Sequence, residues 1–153
     1  MLQWVWILWV WGSDVAAVIC CIWAFWRGGP VERWGAAIIS IGWILTVIFH
    51  LPNGGGPGSI VTVIDIAAFA LFLALAVWSR RIWVFFAAAC QLNAVFSHFI
   101  HNIASFGIYG YATAAGLWGG WALLICLACG IIGYQRSLKR GQIKAGAVTA
   151  GAR

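Results

Sequence analysis

Two aspartates and three histidines are the residues of this chain best able to do chemistry. Asp14 and Asp65 each stand near the start of an apolar stretch, and His50, His98 and His101 each stand near the end of one. Carboxylates and imidazoles at membrane depth hold protons, pair with one another or ligate metals. Their placement is regular. His50 follows Arg33 by seventeen positions, and His98 follows Arg81 by seventeen. Counting about 1.5 Å per residue from the basic turns puts all five side chains roughly 20–30 Å away, in one layer. Asp14 with His50, and Asp65 with His98 or His101, are the natural pairs. His98 and His101 are three apart and share a helix face.

Three uses of this layer are open. The residues could be interfacial polar groups and helix caps, with Ser13 or Asp14 capping a helix. His50, His98 and His101 could bind a haem or a transition metal, although no motif demands a cofactor. The layer could also carry a proton or a solute. Gln91 and Asn93, near the middle of their apolar segment, complete the polar set. Each would hydrogen-bond across helices or face a cavity.

The elements that must position these groups are membrane helices. Of 153 residues, 64% are hydrophobic and 8% are charged. A soluble domain carries about 25% charged residues, so the solvent here is lipid. The net charge of +6 does not point to nucleic acid, because the basic residues sit at helix ends and in the tail. Several of the twelve tryptophans flank the apolar segments, where an indole prefers the headgroup level. The five cysteines all lie inside apolar segments, which excludes a disulfide framework in polar loops. Cys126 and Cys129 form a C-x-x-C pattern, but without polar flanks they read as packing residues. No positively charged leader precedes the first apolar run.

The pattern predicts an all-α polytopic membrane protein of five transmembrane helices, two tandem hairpins plus a fifth. The helices fall at about 2–26, 34–51, 60–78, 82–103 and 111–134. Residues 1–135 form the bundle, and 136–153 a basic, flexible cytoplasmic tail. The first eleven residues either continue the first helix or lie in the interface. Arg27, Arg33, Arg80, Arg81 and most of the tail charges fall on one side of such a bundle, which sets the N-terminus outside and the C-terminus inside. Asp14-Val15-Ala16-Ala17 matches Asp65-Ile66-Ala67-Ala68, so the two hairpins read as a parallel repeat. On the fifth helix Gly116 and Gly120, and further on Gly130, mark a small-residue face. It would serve packing within the bundle, or contact with a membrane-protein partner or a second copy.

Trp26-Arg27-Gly28-Gly29-Pro30-Val31-Glu32-Arg33, then Ala89-Cys90-Gln91-Leu92 with His98, and Tyr111-Ala112-Thr113-Ala114 with Trp118, carry a resemblance. They resemble a family of small bacterial multi-helix membrane proteins of no assigned activity. The resemblance implies the bacterial inner membrane and transfers no functional residue. No motif names a reaction, and the short loops leave no room for a soluble catalytic site. The expectation is a non-enzymatic accessory or scaffold subunit of a membrane complex, in contact with the lipid bilayer. The alternatives are a haem- or metal-binding redox protein on the outer histidines, and a small oligomeric channel or carrier.

Overall fold

The computed structural model describes residues 2–50, 59–100, 110 and 113–150, with side chains over 12–49, 59–99, 110 and 113–142. Among the described residues all regular structure is helical. The helices are α1 (Leu2–Arg27), α2 (Pro30–His50), α3 (Ser59–Ser79), α4 (Ile82–Ile100) and a fifth. The fifth passes through a π-helical segment, Gly116–Ala122, and continues as α5 (Leu123–Ala150). Four spans among the described residues are long and apolar enough to cross a membrane: Pro30–Phe49, Ser59–Ser79, Ile82–Phe99 and Thr113–Gln142. α1 has 26 residues, about 39 Å of helix.

α1 and α3 keep to the expected spans, whereas α2 starts earlier than expected, at Pro30, and the last helix ends later. α1 runs unbroken through Gly12-Ser13-Asp14, so Ser13 and Asp14 are interior helical positions and not caps. Asp65 likewise lies well inside α3, which starts at Ser59. Only a favourable environment would hold carboxylates there, since mid-helix Asp gains nothing from the helix ends. The last helix does not stop near residue 134. It carries Arg136, Lys139, Arg140 and Lys144 on to Ala150, because Ala, Leu, Lys, Arg and Gln are good helix formers without any packing partner.

The chain turns tightly at the basic end of both hairpins. Between α1 and α2, Gly28 donates its N–H to the Ala24 carbonyl at 2.9 Å. Pro30 then starts α2, where its missing N–H costs nothing. A Cβ on Gly28 would lie 2.4 Å from that Ala24 carbonyl, so only glycine fits. Between α3 and α4 the same post-helical position falls to Arg80, at φ 51°. This left-handed conformation costs a non-glycine residue about 1–2 kcal/mol. Arg80→Gly should therefore raise stability by about 0.5–1 kcal/mol, the relief being offset in part by glycine's freer unfolded chain. Thermal unfolding in detergent checks this, and an unchanged or lowered midpoint would refute it.

The core is built from small residues. Ala17, Cys21 and Ala24 of α1 meet Ala36 and Ile39 of α2. Ala76 of α3, Ala87 and Ala88 of α4, and Leu123, Leu124, Leu127 and Ile131 of α5 belong to the same cluster. Small side chains let backbones approach, which is the means of packing when lipid removes the hydrophobic drive between helices. Many large apolar side chains point outward. Trp26, Trp34, Trp78 and Ile82 are 75%, 61%, 70% and 75% exposed at the basic end, beside the arginines. That is an interfacial aromatic belt. Arg27 stacks over the Trp26 ring at 5.4 Å. α5 leans chiefly on α4 and α1 and closes the bundle across the two hairpins.

One device locks the basic end. Glu32 of α2 is fully buried, and its Oε1 accepts a hydrogen bond from the Trp83 indole Nε1 of α4 at 3.2 Å. Arg81 Nη1 lies 3.7 Å from the same oxygen. The indole sits against two glycines. A Cβ on Gly35 would lie 2.8 Å from Trp83 Cη2, and one on Gly130 would lie 2.6 Å from Trp83 Cε2. Gly35 belongs to α2 and Gly130 to α5, so one side chain joins three helices. Gly29 meets the Tyr134 ring of α5 in the same way.

Candidate functional site

Asp14 and Asp65 come from different helices and line one cavity of about 230 Å³. Ser13, Thr46 and Gln91 add polar groups, and Trp43 and Phe72 add aromatic ones. All five helices contribute. Asp65 and Asp14 both lie roughly 20 Å along their helices from the basic turns, in the half of the membrane farther from the arginines.

Asp65 is the best-held member. Its Oδ2 is 2.6 Å from His98 Nε2, and its Oδ1 accepts a hydrogen bond from Gln91 Nε2 at 3.1 Å. The His98 side chain is 3% exposed and that of Asp65 24%. One carboxylate on α3 is thus clamped by two side chains of α4, seven residues apart on one helix face. Asp14 is different. It is exposed at the rim of the cavity and has no hydrogen-bond partner among the described residues. Thr46 Oγ1 donates to the Gly42 carbonyl at 2.8 Å, within its own helix.

The π-helical segment forms the remaining wall. Gly116, Gly119 and Gly120 line the cavity. A π turn closes i→i+5 bonds and widens the helix, and such turns cluster at functional sites. A Cβ on Gly119 would come within 3.2 Å of the Ala94 Cβ, and one on Gly120 within 3.9 Å of the Ser13 Cβ. The glycine face of the fifth helix is therefore taken up inside the bundle, by α4 and α1 around the cavity and by Trp83 at Gly130.

The remaining candidates divide. Asn93 stands apart from the layer, because its side chain is exposed and donates to the Ala89 carbonyl of its own helix at 3.1 Å. Its position two residues after Gln91 turns it to another face of α4. The His50 side chain and His101 lie outside the described residues, so their pairing and any joint ligation with His98 do so too. Among the described residues no three His, Cys, Asp or Glu side chains converge on a point that would hold a metal ion. The five cysteines are free thiols.

Comparison with protein-family models, curated proteins and solved structures finds no match to this chain. Its function must be read from the site. All nine Lys and Arg residues lie at the basic turns or in the tail, so none shares the layer with the two aspartates. An acid-bearing cavity at membrane depth, walled in part by aromatic rings, attracts positive charge. Water takes about 30 Å³ in the liquid, so the space holds several waters or one organic cation of modest size.

Sequence reasoning missed Thr46, Trp43, Phe72 and Gly119 as lining residues. Only the fourfold spacing of small residues on the fifth helix pointed that way, and the π turn displaces it by bringing Gly119 inward as well as Gly120.

Proposed function

We propose that this integral membrane protein binds a small organic cation, a protonated or quaternary amine, as a carrier or channel would. The observation that carries this reading is the convergence of Asp14 and Asp65 on one membrane-depth cavity with Trp43 and Phe72. Carboxylates supply the charge, and the ring faces add cation–π attraction. The Asp65–His98–Gln91 clamp holds one carboxylate in place, while Asp14 stands exposed at the rim of the cavity. The accessory-subunit reading drew on the short loops, the glycine face of the fifth helix and the tryptophan rim, and of these the glycine face is used within the bundle.

The arrangement of charge favours an inner-membrane protein with its N-terminus outside, as the positive-inside rule asks of Arg27, Arg33, Arg80, Arg81 and Lys139. Reporter fusions after Arg81 and Lys144 should then give cytoplasmic signals, and one at Gly55 an outside signal. A cytoplasmic signal at Gly55 would refute the orientation.

The binding test uses the full chain in nanodiscs of zwitterionic phospholipid, titrated calorimetrically with tetramethylammonium. Asp14→Asn and Asp65→Asn should each weaken binding by about ten- to a hundredfold, since each removes one charge from a low-dielectric site. No binding to the wild type, or variants that bind as tightly as the wild type, would overturn the cation reading.

A further inference from the structure

An apolar groove adjoins the cavity on its α2–α3 side. It has a volume of about 630 Å³ and runs toward the basic end, from Leu45 and Val63 to Trp34 and Trp78. Its floor is kept low by Ala37, Gly42, Ala67 and Ala74. Ile38, Gly42 and Ala68 line both this groove and the polar cavity, so the two spaces adjoin. A bulky residue at Gly42 would separate them, yet a Cβ there would meet nothing within 4 Å. Packing does not demand glycine at this position.

We infer that the ligand is a cationic amphiphile with a single chain, its amine headgroup in the Asp14–Asp65 cavity and its tail in the α2–α3 groove. This rests on the cation reading above. Three observations support it together. The cavity and the groove share Ile38, Gly42 and Ala68, so head and tail are served by adjoining surfaces. The charge of the cavity selects the head, because a phosphate-bearing lipid would bring a negative charge against two carboxylates. The direction also fits. With the carboxylates in the outer half and the groove leading from them toward the basic end, the bound amphiphile has the polarity of an outer-leaflet lipid. It can enter laterally without turning over. Deep apolar walls around a few polar groups are the usual form of such sites.

A second groove, between α1 and α2, also touches the cavity through Asp14, Ile39, Trp43 and Val47. It is smaller, about 490 Å³, and Phe25 and Ile44 line it. It provides the control.

The experiment titrates tetramethylammonium, hexyltrimethylammonium and decyltrimethylammonium into the full chain in zwitterionic nanodiscs, with protein-free discs as blanks. Decanol serves as the uncharged chain. Decyltrimethylammonium should bind at least about tenfold tighter than tetramethylammonium, because buried methylenes add affinity. Ala67→Trp, which fills the α2–α3 groove but does not line the cavity, should abolish that gain and leave tetramethylammonium binding unchanged. Val18→Trp, in the α1–α2 groove, should leave both unchanged. Each variant is first checked for an unaltered thermal midpoint, and Ala74→Trp replaces Ala67→Trp if that one unfolds. Tetramethylammonium binding without any gain from chain length would overturn this inference alone. So would loss of the gain in Val18→Trp but not in Ala67→Trp, or equal binding of decanol. Absence of binding by every cation would overturn the cation reading itself.

Discussion

Trp83→Ala should destabilise the bundle by about 3–5 kcal/mol, the cost of deleting a large aromatic side chain from a packed site. The indole fills the space that Gly35 and Gly130 leave between α2, α4 and α5. Its loss also strips Glu32 Oε1 of its hydrogen-bond donor. Glu32 is fully buried, and Arg81 at 3.7 Å, itself 40% exposed, is a poor substitute. Trp83→Phe separates the two contributions. It keeps most of the ring and removes the N–H, so it should cost only about 1–3 kcal/mol. Gly130→Leu attacks the same contact from the other helix by overpacking it. Combined with Trp83→Ala it should cost less than the two changes summed, because the leucine occupies the vacated space. Unfolding in mixed micelles with increasing denaturing detergent gives these differences. Strict additivity would show that Gly130 and Trp83 do not share a contact, and a Trp83→Ala cost below that of Trp83→Phe would refute the lock.

The helical class and the basic ends were legible because they depend on composition and on charge at segment boundaries, both local properties. Arg27, Arg33, Arg80 and Arg81 announce the turns whatever the packing. The Asp65–His98 proximity was legible too, from helix rise counted off one hairpin turn, since two antiparallel helices meet at matched heights. What was not legible depended on helix rotation. Gln91 and Asn93 are two residues apart in an apolar run, and only the packing of α4 on α3 decides which amide meets Asp65 and which meets lipid. Glu32 looked like a first-turn acid, a common place for one. Its partner is 51 residues away, and no periodicity links a glutamate on α2 to a tryptophan on α4. The π segment was hidden for another reason. Gly-Leu-Trp-Gly-Gly-Trp-Ala fits an α-helix as well as a π-helix, and tertiary contact with Ser13 and Ala94 selects the wider turn.

The two acids of the cavity should part company when each is changed to alanine. Asp65→Ala should cost about 3 kcal/mol, the lower end of the range for breaking a buried charged pair, because His98 and Gln91 both lose the carboxylate they hold between α3 and α4. In a double cycle with His98→Ala the coupling should be about 1–2 kcal/mol, near the upper end of what side-chain hydrogen bonds give inside membranes. Asp14→Ala should change stability by less than about 0.5 kcal/mol, as expected of an exposed side chain. Yet both should lose retention of tetramethylammonium. Stability and binding therefore separate at Asp14 and travel together at Asp65. If Asp14→Ala melts as low as Asp65→Ala, then Asp14 is a structural residue and the rim of the cavity holds no carboxylate free for a ligand. If Asp65→Ala is as stable as the wild type, the clamp on α4 contributes nothing and the cavity has no fixed charge on which to orient a cation.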